Sequence, residues 1–64
     1  MEVGEKVIVY KSYLGTKSEY PHKVLKTDEK NIWVNDYEFP FSLKTGEYSQ
    51  MTIEGFKIFI MVKN

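Results

Sequence analysis

The sequence contains no cysteine, no arginine and a single histidine, and each scarcity removes a class of function. Without cysteine there is neither a disulfide framework nor a thiolate zinc site. Because His22 is the only imidazole, a histidine-based dyad or metal site would have to use it alone. These absences predict a protein that is not an enzyme and holds no metal or cofactor. The lack of disulfides also favours a cytoplasmic location.

The serines and carboxylates do not restore a catalytic interpretation. Four serines fall in polar turn-like stretches without a nucleophile-elbow context: Ser12, Ser18, Ser42 and Ser49. The acidic pairs Asp28–Glu29 and Asp36 with Glu38 flank predicted hairpin turns. A turn tip does not provide the burial that raises the pKa of a general acid.

Net charge and long apolar runs are also missing. Nine lysines and nine acidic residues cancel to a formal net charge of zero. This weakens a nucleic-acid interpretation, because phosphate neutralisation supplies most non-specific affinity. The bidentate fork of arginine is absent as well. No apolar run approaches the roughly 18 residues of a membrane span, and residues 1–5 lack the character of a signal peptide. We therefore expect a soluble chain without a membrane partner.

Short β-branched and aromatic clusters alternate with polar, glycine and asparagine signals, which is typical of short strands. A chain this short buries only about 60% of its unfolded surface, so we predict one domain over residues 1–64. Five strands are predicted at 6–11, 20–27, 31–34, 37–42 and 56–62, with loops at 12–19 and 48–55. Asn35 and Asp36 suit a tight hairpin turn, and Pro40 predicts an edge or bulge in the fourth strand.

This order of strands and loops indicates an all-β fold, a small five-stranded SH3-like barrel, whereas an OB-fold would usually add a helix. Residues 3–9 (VGEKVIV) resemble the G-[DE]-x-V-x-V opening of KOW-like and other SH3-like barrels. The whole chain resembles small phage-encoded accessory proteins with a V-x-K-T, hairpin, F-x-x-x-T-G layout, here at 24–27, 31–36 and 41–46. The resemblance implies a phage or mobile-element origin, hence a host cytoplasm, and no defined activity.

Side chains alternate between the two faces of a strand, so each strand divides into an inward and an outward set. We take as core the apolar residues that keep period two: Val7, Val9, Val24, Ile32, Val34, Phe39, Phe41, Phe56, Ile58, Ile60 and Val62. The opposite parity is unusually apolar for a solvated face: Ile8, Tyr10, Leu25, Trp33, Phe59 and Met61. These residues form either an exposed aromatic patch or a second core layer under residues 48–55. The faces of the second strand stay open, because both are equally mixed.

The leading hypothesis is a protein-binding module, either a phage-encoded inhibitor or modulator of a host protein or a homodimer. Its binding residues would be Ile8, Tyr10, Trp33, Phe59 and Met61. The alternative is a nucleic-acid-binding β-barrel in which aromatic rings stack on bases while lysines hold phosphates. Its residues would be Lys11, Lys17, Lys23, Lys26, Tyr13 and Tyr20. A third hypothesis is a structural or assembly component.

Overall fold

In the computed structural model, which describes residues 2–50 and 53–61, the chain forms five antiparallel strands. These are β1 (Lys6–Tyr13), β2 (Thr16–Thr27), β3 (Asn31–Val34), β4 (Phe41–Ser42) and β5 (Phe56–Ile60). They are ordered β4-β3-β2-β1-β5 in the sheet. The predicted all-β class and the five-stranded SH3-like barrel are confirmed. Within the described ranges, no helix is long and apolar enough to cross a membrane.

The segment between β4 and β5 nearly closes the barrel. The amide of Ser42 donates to the carbonyl of Glu47 at 2.9 Å, which ties this segment to β4. On its other side, the amide of Ile60 donates to the carbonyl of Gly46 at 2.7 Å, and the amide of Tyr48 donates to Ile58 at 2.9 Å. Residues 46–48 therefore join the edges of β4 and β5, although they do not form a regular strand.

The connection between β1 and β2 is a tight hairpin, so the predicted loop over 12–19 is wrong. β1 continues to Tyr13 and β2 begins at Thr16, which leaves only Leu14 and Gly15 in the turn. Both turn residues have positive φ, 49° and 85°, as a type I′ turn requires. The polar residues at 12–19 reflect a hairpin that extends past the core.

β2 is the longest strand and belongs to both halves of the barrel. Its first part pairs with β1 as far as Lys23, and its last part pairs with β3. The register shifts between Val24 and Lys26, where Leu25 is exposed. Val24 is buried, so the inward side of this strand includes Val24. The irregularity lets one strand bend from the β1 side of the barrel to the β3 side.

β3 has the predicted bounds, and the predicted tight turn forms at Asn35–Asp36, where the amide of Tyr37 donates to the carbonyl of Val34 at 3.3 Å. β4 is shorter than predicted, and it does not pair with β3 directly across that turn. Asp36 does adopt a positive φ of 71°. The chain then runs irregularly to Pro40, and only Phe41 and Ser42 pair with β3. Pro40 directly precedes β4, the terminal strand in the sheet order, which agrees with the predicted edge position; it makes no bulge within the strand.

Among the described residues the core consists of seven buried side chains, all of them predicted: Val7, Val9, Val24, Ile32, Val34, Phe41 and Ile60. Phe39 is wrong as a core residue, because it is 41% exposed in the irregular stretch before β4. Phe56 is only partly buried, Ile58 packs against the core at its margin, and Val62 lies outside the described residues. Three further residues pack against the core from the connecting segments: Tyr37, Leu43 and Tyr48.

Candidate functional site

The outer side of β1 and its neighbours carries a cluster of apolar side chains. Because Val7 and Val9 are buried, the alternate residues Ile8 and Tyr10 point away from the core. The strand register sets Phe59 opposite Tyr10, and Pro21 opposite Ile8. We call these four residues, Ile8, Tyr10, Pro21 and Phe59, the outward face. The rings of Tyr10 and Phe59 stack at a centroid distance of 5.3 Å with an interplanar angle of 18°.

Charged residues border the outward face in the cross-strand rows on either side of it and at both ends of the row that contains the two rings. One neighbouring row contains Lys57, Ser12 and Lys17, and the row beyond Ile8 contains Lys6 and Lys23. In the row of the stacked rings, Glu19 lies opposite Tyr10 and Glu47 lies opposite Phe59. The ammonium of Lys17 lies 5.0 Å from the centroid of the Tyr10 ring. An apolar centre is thus surrounded by four lysines and two glutamates.

In the segment between β4 and β5, Tyr48 forms part of the barrel wall and packs its ring against the core. Tyr48 pairs with Phe41 in the wall, and its ring packs on the Phe41 ring at 5.0 Å. It also packs on Tyr37 at 5.1 Å. Tyr48, the first residue of the segment predicted to cover a second core layer, therefore faces the barrel core and does not cover the outward face. Ile8, Tyr10 and Phe59 are partly buried.

The remaining residues of the predicted aromatic patch lie elsewhere. Trp33 is opposite Lys26 in the β2–β3 ladder, with the ammonium 4.7 Å from the ring centroid. β3 is two strands away from β1 in the sheet order, so Trp33 is not part of the outward face. Leu25 is exposed at the β2 irregularity, and Met61 is exposed directly after β5. The structure therefore gathers Ile8, Tyr10 and Phe59 but separates Trp33 from them.

A groove lies on the opposite, core-facing side of the β1–β2 hairpin, where the hairpin extends beyond the barrel core. Its volume is about 400 Å³, and it is lined by Lys11, Tyr13, Leu14, Thr16, Ser18, Tyr20 and Phe56. We call this the hairpin groove. The ammonium of Lys11 lies 5.1 Å from the centroid of the Tyr20 ring. The rings of Tyr13 and Phe56 are 5.9 Å apart at an angle of 45°.

The six nucleic-acid candidates are divided between different surfaces. Lys11, Tyr13 and Tyr20 meet in the hairpin groove. Lys17 and Lys23 lie on the other side of the same hairpin, beside the outward face. Phe56 belongs to the groove but carries no distinguishing sequence signal, because its alternation with Ile58 predicts an ordinary core residue.

The side chain of His22 makes contacts that stabilise the fold. It is partly buried, and its Nδ1 atom lies 3.0 Å from the carbonyl oxygen of Asn35. Its ring makes an edge contact with the Tyr37 ring at 5.4 Å. Asn35 also accepts a 2.7 Å hydrogen bond from the Lys23 amide through its Oδ1 atom. These contacts attach β2 to the turn after β3. Across the described ranges there is no group of three or more metal-ligating side chains.

The carboxylate of Asp28 organises the β2–β3 turn. Its Oδ1 atom accepts hydrogen bonds from the amides of Lys30 at 2.8 Å and Asn31 at 2.7 Å. These two backbone hydrogen bonds favour the charged form and lower the pKa of Asp28 below its usual range. In the turn after β4, Ser42 Oγ accepts a hydrogen bond from the amide of Lys44 at 3.1 Å. Both side chains are used to form turns.

Comparisons of the chain with protein-family models, with curated proteins and with solved structures return no match. The function is therefore inferred from the geometry of the outward face and the hairpin groove.

Proposed function

We propose that this protein is a non-enzymatic protein-binding module that docks an acidic protein surface on the outward face. The observation that carries the proposal is the stacked pair of Tyr10 and Phe59, presented on strands with Ile8 and Pro21 beside it. Protein–protein interfaces typically have an apolar, aromatic centre within a polar rim. Large aromatic side chains at such centres contribute most of the binding energy.

The charges around the outward face define the chemistry of the partner. Four lysines outnumber two glutamates in the rim, so a complementary surface is acidic around an apolar centre. Glu19 and Glu47 lie in the same row as the two rings. A phosphate backbone that crossed these rings would pass both carboxylates, and like charges disfavour such an arrangement. A protein surface is therefore favoured over nucleic acid at this face.

The mechanism is occupancy of the partner's surface. Tyr10 and Phe59 are paired across the β1–β5 ladder and stacked on each other, so their positions are set before binding. Such preorganisation reduces the entropy lost on association. The resemblance to phage-encoded accessory proteins suggests bacterial host proteins as the first partners to search. By covering an acidic patch on a host protein, the module would block or modulate the contacts of that patch.

The test combines capture with a direct titration. The protein is used as bait in a nuclease-treated bacterial lysate, and each captured protein is purified and titrated by calorimetry. The double variant Tyr10→Ala/Phe59→Ala should bind at least about 30-fold more weakly, because interface hot spots contribute about 2 kcal/mol or more. The matched control Tyr13→Ala/Tyr20→Ala, on the other side of the hairpin, should bind like the wild type.

A second variant separates binding from folding. Lys17→Glu/Lys57→Glu keeps both rings and reverses two exposed charges in the rim. It should weaken binding of an acidic partner and reverse the dependence of the association rate on salt, because the rim then has two lysines and four glutamates. Unchanged affinity in both double variants, each shown to be folded by circular dichroism, would refute the proposal. Capture that disappears on nuclease treatment would refute it as well.

A further inference from the structure

We propose that the hairpin groove binds single-stranded nucleic acid, with Lys11 contacting a phosphate and the rings of Tyr13, Tyr20 and Phe56 stacking on bases. This site lies on the opposite side of the β1–β2 hairpin from the outward face. The proposal is therefore independent of the protein-binding function.

Aromatic rings and the ammonium of Lys11 alternate along the length of the groove. In the hairpin ladder Tyr13 pairs with Thr16, Lys11 with Ser18, and Tyr20 with Val9. Tyr13 and Tyr20 are thus four ladder positions apart, about 13 Å at 3.3 Å per residue. Lys11 lies midway between them. A single strand that crosses the groove can place bases on the two rings and a phosphate of the intervening backbone at Lys11.

The charge of the groove favours an anionic ligand. Among the described residues that line it, Lys11 carries the only charge. The outward face differs in this respect, because two glutamates border its rings. The ammonium of Lys11 is held 5.1 Å from the Tyr20 centroid, a cation–π distance that keeps the charge inside the groove. The hydroxyls of Thr16 and Ser18 add neutral hydrogen-bonding groups.

The rings of the groove are accessible to a ligand. Tyr13 is 44% exposed and Tyr20 is 43% exposed. Phe56 lies beside Tyr13 with its ring tilted by 45°, so the two rings form an angled platform at the hairpin tip. Stacking on such rings tolerates any base, because every base has a π-face. We therefore infer binding with little sequence preference and with one phosphate contact.

The test is fluorescence anisotropy with labelled eight-nucleotide dT and rU strands at several salt concentrations. One lysine–phosphate contact contributes a slope of about −0.7 to a plot of log K against log salt concentration. Lys11→Ala should remove that contribution and weaken binding at low salt. Lys17→Ala is the matched control, because Lys17 lies on the same hairpin but faces the other way; its binding should equal that of the wild type.

Ring variants test the stacking. Tyr13→Ala and Tyr20→Leu should each weaken binding by about 5- to 100-fold, the range for loss of one stacked base. Tyr20→Phe keeps the ring and should bind like the wild type. A duplex of the same length should bind more weakly than the single strand, because its bases are not available for stacking.

Several outcomes would overturn the inference. These are no binding of either strand at low salt, equal loss in Lys11→Ala and Lys17→Ala, equal affinity for duplex, or tighter binding of an acidic peptide than of either strand. The double variant Tyr10→Ala/Phe59→Ala should keep its affinity for the oligonucleotide. The two proposals therefore succeed or fail separately.

Discussion

The side chain of Asp28 organises the turn between β2 and β3. Its carboxylate accepts two backbone hydrogen bonds between β2 and β3, and its pKa is lowered by them. A carboxyl with a lowered folded-state pKa stabilises the fold at pH values above its unfolded pKa of about 3.9. That stabilisation is lost as the pH falls through the lower folded-state pKa.

We therefore expect the wild type to lose stability on acidification more steeply than Asp28→Ala. Thermal unfolding followed by circular dichroism between pH 7 and pH 2 measures this. The two melting temperatures should differ most at neutral pH and converge at the acid end. Glu29→Ala, in the same turn, is the matched control, and parallel curves for the wild type and Asp28→Ala would contradict the assignment.

At the same scale, alternation predicts a core side chain only where a strand continues. Ile32 and Val34 are buried as predicted, because β3 is regular from Asn31 to Val34. Phe39 and Phe41 have the same spacing, but Pro40 separates them and the backbone before Phe41 is irregular. Period two therefore does not extend to Phe39, and its side chain is partly exposed.

At the scale of elements, the β1–β2 hairpin positions both candidate surfaces. Its two sides carry the outward face and the hairpin groove, and the turn at Leu14–Gly15 sets its register. Polar residues over 12–19 predict a loop because composition does not distinguish a loop from a hairpin that projects into solvent. The register brings Lys11, Tyr13 and Tyr20 together with Phe56 of β5, and no local pattern reports that juxtaposition.

The turn itself provides a prediction about stability. Leu14 has a φ of 49°, which strains any residue with a Cβ atom and is tolerated best by glycine and asparagine. We expect Leu14→Asn to increase the free energy of unfolding by about 1 kcal/mol. Gly15→Ala should decrease it by a similar amount, because Gly15 has a φ of 85°. Urea denaturation measures both changes.

The comparison of the two turn variants separates backbone strain from side-chain packing. The side chain of Leu14 is 77% exposed. A Cβ atom added at Gly55 would lie 3.9 Å from the Cδ2 atom of Leu14. If Leu14→Asn decreased stability, the Leu14 side chain would stabilise the hairpin tip more than the left-handed backbone destabilises it. Opposite signs for the two variants are the result that supports a type I′ turn.

At the scale of the whole molecule, the fold class follows from the sequence more readily than the function. Short apolar clusters separated by turn signals suffice for five strands, and seven of the predicted core residues are buried. The outward face was predicted in part, through Ile8, Tyr10 and Phe59. Trp33 was grouped with them by parity alone, and parity does not specify how far apart two strands lie in the sheet.

Because the core is small, the free energy of unfolding of the whole molecule depends strongly on one buried ring. Phe41 is fully buried and packs against Tyr37 and Tyr48, so it joins the core to the segment that closes the barrel. Replacing a buried phenylalanine by alanine destabilises a protein by about 3–5 kcal/mol. In a domain of this size the hydrophobic core rarely supplies more than about 3–5 kcal/mol of stability. We therefore expect Phe41→Ala to unfold a large part of the population at 37 °C.

Phe39→Ala is the matched control, with the same chemical change two residues away at a side chain that is 41% exposed. It should lower the free energy of unfolding by less than about 1 kcal/mol, as surface substitutions usually do. Urea titrations of Phe41→Leu, which retains more of the buried volume, keep the comparison measurable if Phe41→Ala does not fold. Equal losses at positions 39 and 41 would mean that the core extends along the chain before β4 and that strand alternation continues across Pro40.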